Sequence, residues 1–175
     1  MLSKNQLAEI RLLHTKKGRD QAQRFIAEGL KTVEELIRLR PDLVVAIYGT
    51  SLFTDQDRAV LRKKDIPFYE TKDEQMEKMS LQHTPSGALA VCRYIDEHDA
   101  DFNPQSELAL YLDDIRDPGN MGTILRLADW FGIKKVFCSH NTCELYNPKV
   151  IQSSMGAFLR VEVIYDQLEK IISRC

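Results

Sequence analysis

The sequence has no apolar run approaching the roughly 20 residues of a membrane span. Its first twenty residues, MLSKNQLAEIRLLHTKKGRD, lack the apolar core and small-residue cleavage site of a secretory signal. The four cysteines (Cys92, Cys138, Cys143 and Cys175) form no CxxC pair and no Cys/His spacing of the zinc type, so no metal site is expected. Reduced thiols in a cytoplasmic protein are the simplest reading. GxGxxG and GxxxxGK[ST] are both missing, which leaves dinucleotide and P-loop readings weak.

What is present is ordinary in amount and uneven in placement. A hydrophobic fraction of 43% with 29% charged residues suits a globular protein with a buried core. At 175 residues the chain has room for one large domain or two small ones. Residues 1–40 carry nine Lys/Arg against five Asp/Glu, whereas residues 65–115 carry three against twelve. A basic segment can meet phosphates, because each neutralised phosphate releases counterions. Arg11, Lys16, Lys17, Arg19 and Arg24 equally suit a solvated helix face and loop.

Helical and strand periods alternate along the chain. Leu2, Leu7, Ile10 and Leu13 have helical spacing, KKGRD breaks it, and RFIAEG reads as a strand. LKTVEELIRLR is a helix stopped by Pro41, DLVVAIYG a buried strand, and 51–64 a helix. IPFYET, DEQMEKMS and GALAVCRY follow as strand, short helix and strand. These make an α/β domain over residues 1–95. The acidic, apolar-poor stretch 96–106, with an Asn-Pro turn signal, reads as a linker. A second α/β run fills 107–175, with LALYLDD, IKKVFCS and LRVEVIY as strands between helices, which predicts a mostly parallel sheet. Asn147 before Pro148 marks a helix start.

Within this second run, LYLDDIRDPGNMGTILRLADWFGIKKVFCS (residues 110–139) reads as strand, tight loop, helix and strand. Ligands of parallel sheets sit at the carboxyl ends of strands, where such loops lead into helices. Gly119 and Gly122 are expected to permit positive φ or close approach to a ligand. Asn120 can cap the helix or donate its amide to a substrate. Ile124, Leu127, Ala128 and Phe131 share an i, i+3, i+4, i+7 spacing and are expected to be the buried face, which points Arg126 away from the core. A turn built from its preferred residues remains the plainer alternative.

LDDIRDPGNMGTILRLADWFG resembles the first motif of the SpoU/TrmH family of RNA ribose methyltransferases, in the SPOUT superfamily. Asp113, Pro118, Asn120, Gly122, Ile124, Arg126, Ala128, Phe131 and Gly132 fit that pattern. YNPKVIQSSMGAFLRVEV resembles the next family segment, and RFIAEGLKTVEELI and TPSGALAVC resemble the start and end of the N-terminal substrate-binding domain of many members. The resemblance implies an N-terminal ribosomal-protein-like RNA-binding domain and a SPOUT-type parallel-sheet domain. It implies transfer of a methyl group from S-adenosylmethionine to a ribose 2′-hydroxyl of rRNA or tRNA, without a metal.

The same resemblance gives residues their roles. Arg126 stabilises the developing alkoxide, and Asn120 orients the arginine and the substrate. Lys16, Lys17, Arg19 and Arg24 touch RNA phosphates, and Glu28 with Gly29 matches the family's Glu-Gly at the end of the first strand. For Glu28 a carboxylate placed at a helix N-terminus is the alternative. The family's Gly-Glu-x-x-Gly and Ser-Leu-Asn loops, which build most of the cofactor pocket and the knot, find no match before Cys175. The resemblance therefore implies an incomplete SPOUT domain whose isolated 175 residues bind cofactor poorly and are inactive. A homodimer is implied for the full-length family. A non-catalytic RNA-binding module is the competing function.

Overall fold

The computed structural model describes residues 2–82, 84, 85, 87–95 and 102–173. The chain divides into two compact units, residues 1–95 and 96–175. Most of the expected linker, residues 96–101, lies outside the described residues.

In the first unit, Ser3 opens α1 (Lys4–Leu12) with a capping box: Ser3 Oγ accepts from the Gln6 N–H, and Gln6 Oε1 accepts from the Ser3 N–H. The expected break at KKGRD is instead a second helix, α2 (Lys16–Ala22). Thr15 caps it by accepting from the Gly18 N–H at 3.1 Å. Gly18 is needed because a Cβ there would overlap the Leu12 carbonyl. Gln23, at φ 51°, ends α2 and turns the chain into β1 (Arg24–Glu28). There follow α3 (Leu30–Leu39), β2 (Val44–Gly49), α4 (Asp55–Lys63), β3 (Phe68–Glu70), α5 (Asp73–Met79) and β4 (Ala88–Arg93).

The sheet order is β1-β4-β2-β3. β2 and β3 are parallel, but β4 runs antiparallel to both β1 and β2, so this sheet is mixed. Strand alternation gives it two buried faces. Ile26, Tyr48, Leu89 and Val91 pack with Ile10 of α1, Leu13 just after it, and Met76 and Met79 of α5. Residues of opposite phase, Phe25, Ala27, Ile47 and Ala90, are also buried, as are Val33 and Leu36 of α3.

The second unit contains β5 (Ala109–Leu112), α6 (Pro118–Trp130), β6 (Lys135–Cys138), α7 (Pro148–Ser154), β7 (Glu162–Tyr165) and α8 (Leu168–Ser173). Its sheet is β5-β6-β7 and parallel throughout, as the alternation predicts. Asn147 caps α7 by accepting from the Lys149 N–H at 2.9 Å. Met121, Leu125, Ala128, Val150, Ile151 and Phe158 are buried with Val136 and Cys138 of the central strand. No helix among the described residues is long and apolar enough to cross a membrane.

Candidate active site

The segment DPGNMG is less of a loop than its glycines suggest. Asp117 is the N-cap of α6, with Oδ1 accepting the Asn120 N–H at 2.8 Å, and Pro118 is the first helical residue. Asn120 therefore sits inside the first turn and does not cap. Neither Gly119 nor Gly122 has a positive φ. Gly122 faces α7, where a Cβ would overlap Ser153 Oγ and lie 2.8 Å from both the Ser154 nitrogen and the Val150 carbonyl oxygen. A Cβ on Gly119 would stand 2.9 Å from Asp117 Oδ1. The glycines let a helix and a carboxylate approach, rather than a ligand.

Between the strand and that helix, the backbone is tied to the neighbouring strand's loop. The Asp114 N–H donates to Ser139 Oγ at 2.9 Å and the Ile115 N–H to Thr142 Oγ1 at 3.3 Å. Thr142 is buried, and its hydroxyl donates to the Leu112 carbonyl at 3.0 Å. Asp114 is held at φ 53°, a conformation a non-glycine residue seldom adopts. Tyr165 Oη donates to the Cys143 carbonyl at 2.7 Å, bringing the end of β7 into the same lattice. Burial pushes its hydroxyl pKa well up, so it stays a donor.

At the carboxyl ends of these strands lies a cavity of about 430 Å³ lined by Tyr111, Asp113, Ser139, His140, Asp166 and Glu169, among others. Its size falls within the range of small-molecule sites. Three of its lining side chains are carboxylates, so it suits a cation-bearing ligand and repels phosphate. The Asn120 N–H, followed by Lys149, holds the Asp117 carboxyl below its usual range. Lys149 Nζ stands 3.6 Å from Asp117 Oδ2.

Arg126 is exposed on α6 and makes no hydrogen bond or ion pair with any described residue. Of the face expected to be buried, Ala128 is buried and Ile124 half-buried, but Leu127 and Phe131 are exposed. Met121, Leu125 and Ala128 form the buried stripe with Gly122, while Leu127 is 52% exposed and Phe131 73%. Arg126 still points outward, but it borders an exposed apolar face made by Leu127, Trp130 and Phe131. Asn120 and Arg126 are not brought together: six residues separate them by about 9 Å of rise and about 120° around the helix.

The expected RNA contacts separate in the same way. Lys17 and Arg24 are exposed, and Lys16 is exposed and paired with Asp20 at 2.7 Å. Arg19 is 2% exposed and donates from Nη1 to the Leu13 carbonyl at 2.9 Å. Its guanidinium is an internal strut between α1 and α2, not an open phosphate contact. Glu28 accepts from Ser80 Oγ, and its other oxygen accepts from the Leu81 N–H at 3.1 Å. It fastens the segment after α5 to the end of β1, just ahead of Gly29, the N-cap of α3.

Sequence reasoning passed over Asp117, Lys149 and the Ser139–Thr142 pair. Asp followed by Pro is a helix-start signature that points to the first of these. Nothing local marks the others.

The substrate-binding and catalytic patterns both have counterparts. Residues 4–90 match the MRM3-like substrate binding domain, and residues 107–175 match the SpoU rRNA Methylase family. Among characterised relatives, the 23S rRNA (guanosine(2553)-2'-O)-methyltransferase RlmP of Bacillus subtilis is 29% identical over 172 residues, covering 97% of this chain and 66% of the relative. A putative RNA methyltransferase of the TrmH family from Porphyromonas gingivalis is 36% identical with a TM-score of 0.76, covering 95% of this chain and 64% of that one. The AdoMet-bound rRNA methyltransferase from Sinorhizobium meliloti shares the fold at a TM-score of 0.85 and 24% identity, over 99% of this chain and 66% of that one. The chain thus spans slightly under two-thirds of the length of these relatives. Along one α/β chain, an MRM3-like substrate-binding domain over residues 4–90 thus precedes a segment of the SpoU rRNA Methylase family over residues 107–175.

Proposed function

We propose that this chain serves S-adenosylmethionine-dependent 2′-O-methylation of ribose in rRNA or tRNA, with residues 1–95 selecting the RNA and residues 96–175 supplying one side of the catalytic site. The observation that carries the reading is Arg126, an exposed guanidinium with no described partner, on the helix that leaves the carboxyl end of β5.

S-adenosylmethionine, when bound, supplies an electrophilic methyl group on a sulfonium. Asp113, Asp166 and Glu169 would hold its cationic groups in the acidic cavity beside β5 and β7. The methyl group would go to a ribose 2′-oxygen, whose hydroxyl proton would pass to solvent. Arg126 stabilises the alkoxide character that develops on that oxygen, and the exposed Asn120 amide orients the ribose. Holding both groups on a helix whose start is pinned by Asp117 and packed through Gly122 gives the alignment a displacement needs.

We further propose a homodimer formed through the exposed face of α6. Trp130 is 84% exposed and Phe131 73%, beside Leu127, and contiguous apolar surface of this kind marks an interface. A second copy seated there would exclude water around Arg126 and strengthen its field. The protein is placed in the cytoplasm by the same reading.

The test is Arg126→Ala in the protein carrying the whole methylase domain. Lost methylation of ribosomal RNA with RNA binding retained supports catalysis. Methylation at the wild-type rate removes Arg126 from the reaction, and RNA binding without methylation in the unaltered protein favours a non-catalytic binding module.

A further inference from the structure

Arg126 has an acidic neighbour that it does not bind. Asp129 lies three residues further along α6, the spacing at which opposite charges on one helix meet. Helical side chains lean towards the N-terminus, so Asp129 leans over the turn that carries Arg126. In α3 the same spacing does produce an ion pair, Glu35 with Arg38 at 3.4 Å. Arg126 makes none with any described residue, because Asp129 is already held. α7 ends in two successive left-handed residues, Met155 at φ 47° and Gly156 at φ 85°, which turn the chain back towards α6. A 3₁₀ turn, Ala157–Leu159, follows with Ala157 and Phe158 buried. Arg160 then donates from Nε to Asp129 Oδ2 at 2.8 Å, and its Nη2 stands 2.8 Å from the same oxygen. Both side chains are half-buried. Two charge-assisted contacts fix the direction of the carboxylate as well as neutralising it. Asp129 falls on the same side of α6 as Gly122, the side that meets α7. Arg126, about 40° around the helix from Gly122, stands between those two contacts with its own charge open.

We propose that Arg160 is a positioning residue for methyl transfer: it holds the Asp129 carboxylate aside and so leaves Arg126 unneutralised for the ribose oxygen. The role depends on the reading of Arg126 given above, and adds what keeps that group available. Arg126 is the one cation of α6. Without Arg160, Asp129 would be a half-buried carboxylate short of a partner, and Arg126 is the cation at pairing spacing on its own helix. A carboxylate there would occupy the guanidinium. It would also set a negative charge beside an oxygen that is gaining one, so both effects slow the reaction. A clamp serving only to join α6 to the turn would act through stability, and with Arg160 gone it would be indifferent to the charge of residue 129.

The first readout is single-turnover methylation of ribosomal RNA by the protein carrying the whole methylase domain, with melting to confirm that each variant is folded. Arg160→Gln is expected to slow methylation about tenfold. Adding Asp129→Asn to Arg160→Gln is expected to recover most of that loss, although the ion pair is not rebuilt. A double variant as slow as Arg160→Gln alone makes the pair a structural clamp and overturns the proposal. A second variant keeps Arg160 in place: Thr123→Glu sets a carboxylate at the other pairing position beside Arg126, on an exposed site. It is expected to be about tenfold slower than Thr123→Gln. Equal rates in those two overturn the proposal even where Arg160→Gln fails to fold. The second readout is NMR of the 175-residue chain, with the Arg126 Nε–H signal assigned by its loss in Arg126→Ala. Its exchange with water is expected to slow in Arg160→Gln and to return to the unaltered rate in the double variant. An Arg126 signal that Arg160→Gln does not change overturns the proposal. Methylation by Arg126→Ala at the wild-type rate, with the NMR result as expected, places the failure in the reading of Arg126, and the role of Arg160 falls with it.

Discussion

Gly122 of α6 lies directly against Ser153 of α7, and the space a Cβ would need is already filled by the serine hydroxyl. Ser153 Oγ is held there by donating to the Lys149 carbonyl at 2.6 Å. The helices meet backbone to side chain, with no room for a methyl group.

Gly122→Ala sets two effects against each other. Alanine improves helix propensity by about 1 kcal/mol. The added carbon also meets the Ser154 nitrogen and Val150 carbonyl oxygen at 2.8 Å, and those backbone atoms can move only with α7. Overpacking costs about 1–3 kcal/mol, so the variant is expected to be less stable. Urea titration of the second unit measures the difference.

Arg126→Ala is expected to leave stability within about 0.5 kcal/mol, because the side chain is exposed and has no described partner. The methylation rate is expected to fall by about 10²–10³-fold, the usual effect of removing a donor to a developing oxyanion. Melting curves and single-turnover methylation measure the two separately. A destabilised variant would show that Arg126 has a structural duty instead.

Trp130 is the chain's one tryptophan, so intrinsic tryptophan fluorescence reports on the exposed α6 face alone. Its emission is expected to shift to shorter wavelength as protein concentration rises and a second copy covers it. Trp130→Ser is expected to shift sedimentation equilibrium towards monomer. Emission independent of concentration, with a single sedimenting species in both proteins, would exclude this face as the dimer contact.

Asp117 links the helix start to pH. Its folded pKa is lowered from the 3.8 of a free carboxyl, first by the Asn120 N–H and then by Lys149. A lowered folded pKa means stability that is complete above the unfolded value and lost as pH falls through the folded one. Asp117→Asn is therefore expected to lower the melting temperature at neutral pH, with the difference closing in acid below pH 3.8. Parallel melting curves for the two proteins from neutral pH into acid test the sign.

Arg19 and Lys17 are neighbours in composition and opposites in environment. Arg19→Gln is expected to lower the melting temperature of the first unit by removing the bond to the Leu13 carbonyl. Lys17→Gln is expected to leave melting unchanged and to weaken RNA binding with a shallower salt dependence. Melting and salt-titrated binding for the two variants separate strut from contact.

The strands were legible because VVAIYG, ALAVC and KKVFC are apolar runs bounded by breakers, and the parallel second sheet followed from their alternation with helices. The direction of β4 was not, since apolar alternation carries no information about which neighbour a strand joins or which way it runs. α2 was hidden by three basic residues and Gly18, although Thr15 stood in the capping position. α6 misled for a different reason. It is apolar on two sides, Met121–Leu125–Ala128 and Leu127–Trp130–Phe131, and helical period cannot say which side is the core. Arg126 was legible as outward-pointing because either choice leaves it outside. The burial of Arg19 depends on the crossing of α1 and α2, which local sequence does not encode.

β4 is the last strand of the first unit to be synthesised, yet it stands between β1 and β2 and is the strand that bonds to both. Until residue 93 has left the ribosome, those two earlier strands have no common neighbour to join them. β2 and β3 can pair before then, but β1 joins the sheet only in a late step, through long-range pairings that form slowly. During that interval the apolar faces of α1, α3 and α5 lie open to chaperones. In the second unit each new strand pairs with the one made just before it, so that sheet can grow as the chain emerges.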